Sequence, residues 1–150
     1  MAGSGDGFDL ILIGSGPGGY VAAIRAAQLG LRVACVEKDK LGGVCLNIGC
    51  IPTKALLSSA SFVRETKVAQ GHGVTMEGMS VALGPAHERS RKVADQLNKG
   101  VGYLFKKNGV TPIEGVGRMI EKGKVEVEGA DGGRRTIEAP HIIIATGSRP

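Results

Sequence analysis

Two cysteines separated by four residues are the side chains in this sequence whose spacing most clearly suggests chemistry. Cys45 and Cys50 are bracketed by glycines. In a straight α-helix, positions five apart are separated by more than roughly 7 Å along the axis, which is too far for a disulfide. If the two cysteines are bridged, the backbone between them must therefore be irregular, and Gly49 supplies the needed freedom.

A helix is predicted directly after the second cysteine. Pro52 suits its first turn, and residues 53–57 continue it. Cys50 then lies close to the helix N-terminus, where the helix dipole stabilises a thiolate. The stretch therefore indicates a redox-active dithiol.

Three other interpretations of the cysteine pair stay open at this point. A structural staple over so short a loop would stabilise the fold by only about 2 kcal/mol on the chain-entropy account. A zinc site needs two more ligands, and the remaining candidates, Cys35, His72, His87 and His141, stand in no paired motif. The third interpretation is a pair of unrelated buried thiols.

A βαβ unit precedes the cysteines. The apolar run over residues 8–13 predicts a buried parallel strand, and a glycine-rich turn follows it at once. A helix is predicted over residues 17–29, with Gly30 terminating it, and a second strand covers residues 31–36 and ends at Glu37. This arrangement carries the dinucleotide-binding fingerprint.

Each part of that fingerprint has a physical task. Gly14 makes the tight turn, Gly16 lets the backbone approach a pyrophosphate, and Gly19 lets helix and strand pack closely. The helix N-terminus directs amides and a positive dipole at phosphates. Glu37 is placed to accept a hydrogen bond from a ribose hydroxyl. The fingerprint alone fits FAD and NAD equally, and the dithiol favours FAD, since its two electrons need an acceptor that can pass on a hydride.

The rest of the chain predicts helices followed by short strands. The helix after Lys54 is expected to reach about residue 69, and residues 70–79 are predicted as a loop. A second long helix is expected from Pro85 to about residue 108, with one core-facing side made of Val93, Leu97, Val101 and Leu104. His72 and His87 are predicted to lie at the surface.

Strands are predicted over residues 110–120, 124–127 and 135–139, with glycine-containing turns between them, as a small antiparallel meander. A further buried parallel strand covers residues 141–145 and runs into Thr146 and Gly147. The predicted fold class is α/β: a Rossmann-like FAD-binding parallel sheet with a helical insertion and a small antiparallel β-meander.

Composition narrows the function classes. The 150 residues fit one domain, with 42% hydrophobic residues and a net charge of +5. With no Trp, two Tyr and three Phe, the chain lacks a stacking surface for nucleic acid. No apolar run approaches the roughly 20 residues that span a bilayer. Neither nucleic acid nor a membrane is therefore an expected partner. We expect residues 1–7 to be a flexible N-terminus, and residues 8–150 to be an FAD-binding domain that is truncated after Pro150.

The stretch from Gly42 to Lys54 resembles the active-site signature of the flavin-dependent pyridine nucleotide–disulfide oxidoreductases. The continuation over residues 51–57 favours the branch of that family that oxidises dihydrolipoamide, and Ala145-Thr146-Gly147 resembles the signature closing its flavin domain. The resemblance runs from about residue 8 to residue 150. It implies a Cys45–Cys50 disulfide that exchanges with substrate through Cys45, the more accessible thiol, while Cys50 lies against the flavin.

The resemblance also implies a set of cofactor-binding residues. Glycines of the fingerprint cradle the pyrophosphate, Glu37 holds the adenosine ribose, Lys38 flanks the adenine, and Lys54 lies by the isoalloxazine. Gly117 offers a backbone contact to the adenine. Thr146 and Gly147 border the flavin. The full implied set is Gly14, Gly16, Gly19, Glu37, Lys38, Lys54, Gly117, Thr146 and Gly147.

Cofactor, co-substrate and partners follow from the same resemblance. It implies FAD as cofactor, NAD⁺ as co-substrate, the lipoyl domains of 2-oxo acid dehydrogenase complexes as partners, and a homodimer for the full-length enzyme. It implies a cytoplasmic location, or the mitochondrial matrix in a eukaryote. Two alternatives stay open: the FAD domain of a related disulfide, mercuric or transhydrogenase-type reductase, and a non-catalytic flavin-binding fragment. We also expect the 150 residues alone to be catalytically incomplete.

Overall fold

A computed structural model describes residues 7–148. The predictions for residues 1–6 and for Arg149 and Pro150 lie outside these residues. The chain forms two compact units, one of residues up to 43 together with those from 98, and one of residues 44–97. Among the described residues, no helix is long and apolar enough to cross a membrane.

The first unit contains a four-stranded parallel sheet in the order β3-β2-β1-β7. Its strands are β1 (Leu10–Ile13), β2 (Val33–Glu37), β3 (Thr111–Glu114) and β7 (His141–Ile144). β1 and β2 are central, and the four residues of β1 are all buried, as a parallel strand covered on both faces requires. The predicted parallel sheet is confirmed. β1 and β2 each start two residues later than expected.

Helix α1 (Pro17–Gln28) packs against β1 and β2. Its buried residues are small, Gly19, Ala23 and Ala26, so the helix axis can approach the sheet closely. The chain leaves the helix through Gly30, whose φ of +90° lies in the left-handed region that glycine enters at little cost. The predicted helix end is therefore confirmed.

A three-stranded antiparallel meander completes the first unit. It consists of β4 (Val116–Glu121), β5 (Lys124–Glu128) and β6 (Arg134–Glu138), paired in that order. A continuous apolar core joins its inner face to the parallel sheet; the buried members are Ile11, Ile13, Ala34, Val36, Ile113, Val125, Val127, Ile137 and Ala139. Gly7, from the segment expected to be flexible, forms an isolated bridge to Glu138.

The single strand predicted over residues 110–120 is wrong. The chain breaks at Gly115, so that β3 joins the parallel sheet beside β2 and β4 joins the meander. Gly115 has a φ of +145°, and a Cβ added there would lie 2.6 Å from the Glu128 carbonyl oxygen. A glycine in a conformation that other residues avoid therefore moves the chain from one sheet to the other.

The second unit is the expected helical insertion. It contains α2 (Gly43–Asn47), α3 (Cys50–Thr66), a short 3₁₀ helix (Ala69–His72) and the first part of α4 (Leu83–Asn108). The helix predicted to reach residue 69 ends at Thr66, and α4 starts two residues before Pro85.

The face predicted for α4 is confirmed at Val101 and is displaced by about one position elsewhere. Its buried residues are Ser90, Ala94, Val101 and Phe105, whereas the side chains of Leu97 and Leu104 are 43% and 37% exposed. The spacing of four, seven and four residues still follows one helix stripe. Sequence periodicity gave the helix but assigned too much weight to leucine and too little to the small residues.

Candidate functional site

The glycine-rich turn between β1 and α1 is built by close backbone contacts. Gly14 has a φ of +100°, and a Cβ there would collide with the carbonyl oxygen of Ala145. A Cβ on Gly19 would collide with the Gly14 carbonyl oxygen. These two positions therefore admit glycine alone, and the turn lies directly against the end of β7, as the sequence predicts for helix and strand packing.

The N-terminus of α1 is open to a ligand. Gly16 is its N-cap, Pro17 occupies the first turn, and no side chain caps the free amides. A Cβ placed on Gly16 or Gly18 would meet no atom within 4 Å. Uncapped amides at the positive end of a helix, next to empty space, suit a phosphate group. This end of the helix therefore fits the pyrophosphate of a dinucleotide.

Glu37 lies at the carboxyl end of β2, and its carboxylate is held by three donors. Its Oε2 accepts hydrogen bonds from the Ser15 backbone N–H at 2.9 Å and the Ser15 hydroxyl at 2.6 Å. Its Oε1 accepts one from the Asp39 N–H at 3.1 Å. The predicted ribose acceptor is therefore fixed against the glycine-rich turn.

Ser15 is a functional candidate that sequence reasoning missed. It is fully buried, and besides its contacts to Glu37 it receives the Gly42 N–H on its hydroxyl oxygen at 3.3 Å and on its carbonyl oxygen at 3.0 Å. A serine between glycines gives no sequence signal, since loops commonly carry serine at exposed positions. Only its pairing with an acid 22 residues later distinguishes it.

Gly43 supports the same turn. Its φ is +63°, and a Cβ there would lie 2.8 Å from the Cα of Gly16. Together with the Gly42 hydrogen bonds, this contact places the segment after β2 directly on the fingerprint. Gly43 belongs to the resemblance stretch, but its contact with Gly16 was not predicted.

Other predicted cofactor residues lie in the first unit, which also holds the glycine-rich turn. A Cβ on Gly117 would lie 3.1 Å from both Ile13 and Val36, so this position lets β4 pack on the ends of β1 and β2. Lys38 is exposed just after β2, and Thr146 and Gly147 are exposed just after β7. In this unit the structure therefore gathers the predicted residues at the carboxyl edge of the parallel sheet, where ligands of open α/β sheets bind.

Cys45 and Cys50 form a disulfide, with Cα atoms 4.6 Å apart. Cys45 lies in the short helix α2, and Cys50 is the first residue of α3. The two helices are separated at Ile48 and Gly49. The φ and ψ of Gly49, −114° and −105°, are not helical. The predicted irregular backbone and the position of Cys50 at a helix N-terminus are confirmed.

The relative accessibility of the two cysteines differs from the expectation. Cys50 is exposed and Cys45 is half-buried, whereas Cys45 was expected to be the more accessible. The reason lies in the local fold: Cys50 begins a helix at its open end, while Cys45 sits in the middle of α2. Lys54 is exposed on the second turn of α3.

Two arginines of α4 contact backbone atoms within the second unit, residues 44–97. The Arg91 Nη1 donates to the Asn47 carbonyl oxygen at 3.2 Å, inside the loop that the disulfide closes. The Arg89 Nη1 donates to the Ala55 carbonyl oxygen at 3.1 Å. The cysteine-bearing helices are thus tied to α4 by side chain to backbone hydrogen bonds.

The third cysteine has a different character. Cys35 is fully buried in β2, and its thiol contacts the Gly14 carbonyl oxygen at 3.8 Å. Burial raises the pKa of the Cys35 thiol to about 12, and the neighbouring Glu37 carboxylate adds to the shift. A thiol with such a pKa is protonated and unreactive at neutral pH.

The zinc interpretation finds no support in the structure. Across residues 7–148, no cluster of three or more His, Cys, Asp or Glu side chains could hold a metal ion. His72 and His87 are exposed, as predicted, and so is His141.

Fold and disulfide together define a class of protein. The chain belongs to the pyridine nucleotide-disulphide oxidoreductase family, whose pattern it matches over residues 8–150. This match confirms the family resemblance.

Individual members of the family are close to this chain in sequence. The chain is 51% identical to dihydrolipoyl dehydrogenase of Zymomonas mobilis over 144 residues, covering 96% of this chain and 31% of that protein. It is 49% identical to dihydrolipoyl dehydrogenase of Mycobacterium tuberculosis over 142 residues, 94% of this chain and 30% of the relative. It is 46% identical to leghemoglobin reductase of Vigna unguiculata, over 99% of this chain and 29% of the relative.

A solved structure shares the fold. The crystal structure of LpdA from Mycobacterium tuberculosis matches with a TM-score of 0.85 and 27% identity, over 94% of this chain and 32% of LpdA. The predicted α/β architecture is confirmed by this match. The chain spans about 30% of the length of the curated relatives it matches.

Proposed function

We propose that this chain is the FAD-binding, disulfide-bearing part of a dihydrolipoyl dehydrogenase. The supporting observation is that one chain holds an open dinucleotide cradle ending in Glu37 and a Cys45–Cys50 disulfide at a helix N-terminus. Relatives of about half-identical sequence carry the dihydrolipoyl dehydrogenase name. Either feature alone would fit several classes of protein, and their combination favours this one.

The proposed reaction is a two-electron transfer. A dihydrolipoamide thiolate attacks the Cys45 sulfur and breaks the Cys45–Cys50 bond, so that a mixed disulfide forms with Cys45 and Cys50 leaves as a thiolate. The second substrate thiol then displaces Cys45 from the mixed disulfide, and lipoamide is released. The chain then holds the Cys45–Cys50 dithiol, which carries two electrons and two protons more than the disulfide. Bound FAD would supply the acceptor for these electrons and the hydride chemistry that NAD⁺ reduction requires.

The chain's own residues have proposed roles in this reaction. Cys50 is held as a thiolate by the N-terminus of α3, which makes it the better leaving group. Cys45 is therefore the sulfur proposed to exchange with substrate, although it is the less exposed of the two. The fingerprint glycines Gly14, Gly16 and Gly19 receive the pyrophosphate, and Glu37 receives the ribose. Further proposed cofactor contacts are Lys38, Lys54, Gly117, Thr146 and Gly147.

Partners and location follow as part of the proposal. The whole protein is proposed to act on the lipoyl domains of 2-oxo acid dehydrogenase complexes and to form a homodimer. Relatives include proteins named as mitochondrial and proteins from bacteria. The proposed location is the cytoplasm of a bacterium or the mitochondrial matrix of a eukaryote.

The cradle is tested with Gly16→Ala. Its φ of −62° suits alanine, and the added methyl meets no protein atom, so the free energy of unfolding without ligand should stay the same. The methyl would occupy the space proposed for the pyrophosphate, so the dissociation constant for FAD should rise at least tenfold. Gly100→Ala, in α4 with no atom within 4 Å of its Cβ site, serves as the control that leaves FAD affinity unchanged. Equal FAD affinity of wild type and Gly16→Ala would contradict the proposed cradle.

The dithiol is tested by alkylation and mass mapping with and without dithiothreitol. We expect a reversible Cys45–Cys50 disulfide and a Cys35 that stays reduced in both states. A main species containing a Cys35 disulfide would refute the proposed redox pair. Cofactor identity is tested by denaturing the purified protein and identifying any nucleotide released; FMN alone or NAD alone would contradict the proposal.

A further inference from the structure

Ser15 lies within the glycine-rich turn and is hydrogen-bonded on both sides of its hydroxyl, although the proposed reaction assigns it no role. Its side chain is fully buried. Its hydroxyl donates to Glu37 Oε2 at 2.6 Å and accepts the Gly42 N–H at 3.3 Å. A hydroxyl has a single proton. Since Gly42 occupies a lone pair of the oxygen, that proton is directed to the carboxylate.

These bonds divide the two carboxylate oxygens of Glu37 into different roles. An ionised carboxylate has about four acceptor sites, two on each oxygen. Oε2 fills both of its sites with the Ser15 N–H and hydroxyl, and Oε1 fills one with the Asp39 N–H. One acceptor site therefore remains, and it is on Oε1.

We propose that Ser15 is a positioning residue for the adenosine ribose: its hydroxyl holds Glu37 Oε2, so that Oε1 is left to accept a ribose hydroxyl. The inference rests on the proposed FAD site. The same serine ties Gly42 to the fingerprint, so the orientation of the carboxylate depends on the segment following β2 as well as on the turn following β1.

The hydrogen bond from Ser15 is donated to a charged group in a buried setting, where such bonds are among the strong ones. Ser15→Ala keeps the backbone N–H bond to Glu37 and removes only the hydroxyl. The carboxylate then loses one of its three donors and can rotate. We expect the dissociation constant for FAD to rise about tenfold.

Ser90→Ala is the matched control. Ser90 is also fully buried, and its hydroxyl donates to the His87 carbonyl oxygen within α4. The two variants remove the same atom from equally buried sites, so both lose stability, but only Ser15→Ala should lose FAD affinity. If Ser15→Ala fails to fold, Ser15→Cys has nearly the same shape and a much weaker hydrogen bond, and it takes its place in the comparison.

A double-mutant cycle separates positioning from general weakening of the fold. In a Glu37→Ala background, Ser15→Ala should change FAD affinity less than twofold, because the group it positions is gone. Titration with ADP and with 2′,3′-dideoxy-ADP gives a second readout. Ser15→Ala should weaken ADP about tenfold and leave the dideoxy compound unchanged, since that compound has no ribose hydroxyls.

The outcomes distinguish a failure of the role proposed for Ser15 from a failure of the proposed FAD site. FAD binding by wild type with equal affinities of Ser15→Ala and Ser90→Ala would overturn the role of Ser15 and leave the proposed function standing. An equal loss for ADP and its dideoxy analogue would also overturn it. A wild-type chain that binds neither FAD nor ADP at millimolar concentration would overturn the cofactor site and this inference together.

Discussion

Single residues decide the chemistry of this chain through their immediate surroundings. Cys35 and Cys50 are both cysteines, yet one is buried in a strand with a raised pKa and the other is exposed at a helix N-terminus. The sequence predicted the position of Cys50 at a helix N-terminus, whereas its exposure, which is greater than that of Cys45, differs from the expectation. The role of Ser15 was not predictable, since it depends on a contact between distant positions.

Glu37→Ala should weaken FAD binding by about 1–3 kcal/mol, because ribose hydroxyls lose their acceptor. It should also lower the free energy of unfolding, since the buried Ser15 N–H and hydroxyl lose theirs. Glu114→Ala is the control: Glu114 lies beside Glu37 in the sheet register and is exposed. FAD titration and urea denaturation measure the two effects. Identical FAD affinity for both variants would remove Glu37 from the site.

The raised pKa of Cys35 should make folding stability depend on pH. The thiol has an ordinary pKa of 9.0 when unfolded and about 12 when folded, so above pH 9 the unfolded chain releases a proton that the folded chain keeps. This contribution is fully present below pH 9 and is lost between pH 9 and 12, at roughly 1.4 kcal/mol per pH unit. Urea denaturation of wild type and Cys35→Ala at pH 8, 9 and 10 tests it. The difference between the two proteins should shrink as the pH rises, and a constant difference would contradict the expected pKa.

At the scale of elements, local pattern predicted the βαβ unit because each of its parts carries a signal: an apolar run, glycines of fixed spacing and a terminal acid. It failed where the decisive interaction is between sheets. β-Branched and other apolar residues lie on both sides of Gly115 within residues 110–120. The contacts of its Cβ site with Glu128 and Val127 show that the chain breaks at this glycine. The predicted buried face of α4 was displaced because the buried positions include the small residues Ser90 and Ala94, which carry little hydrophobic signal.

Gly115→Ala should therefore be strongly destabilising. The position combines a φ of +145° with a Cβ site 2.7 Å from the Val127 Cγ1, so both strain and steric overlap oppose the methyl group. We expect a loss of more than about 2 kcal/mol in the free energy of unfolding. Gly100→Ala, in the helix α4 with no atom near its Cβ site, should instead stabilise the protein by up to about 1 kcal/mol. Urea denaturation of both variants tests the contrast, and a Gly115→Ala variant as stable as wild type would refute the strained break.

At the scale of the whole molecule, the 150 residues carry one dinucleotide fingerprint, whereas the proposed reaction needs FAD and NAD⁺ together. The matched relatives are about three times as long as the aligned region. Sequence and structure of this chain therefore account for one nucleotide site and one disulfide. The proposed reaction also needs a second nucleotide site and a general base for thiol exchange, and no residue among 7–148 has been given either role.

We predict that the 150-residue chain alone does not reduce NAD⁺ with dihydrolipoamide at a useful rate. A positioned general base is typically worth 10²–10⁴-fold, and orientation of the nicotinamide adds to that factor. Steady-state NADH formation by this chain, supplied with FAD, is to be compared with that of the intact Zymomonas mobilis relative. Similar turnover per disulfide in both proteins would contradict this prediction.

The position of β7 has a consequence for how the protein is made. β1 pairs with β2 on one side and with β7 on the other, in a register that joins Leu10 to His141. A ribosome has to add residues 38–140 after β2 is complete, which takes on the order of ten seconds at typical rates of synthesis. Throughout that time one edge of β1 has no partner strand, and an apolar unpaired edge readily pairs with other chains. Slow translation before His141 would lengthen this exposure, so chaperone demand should depend on the speed of synthesis over the helical insertion.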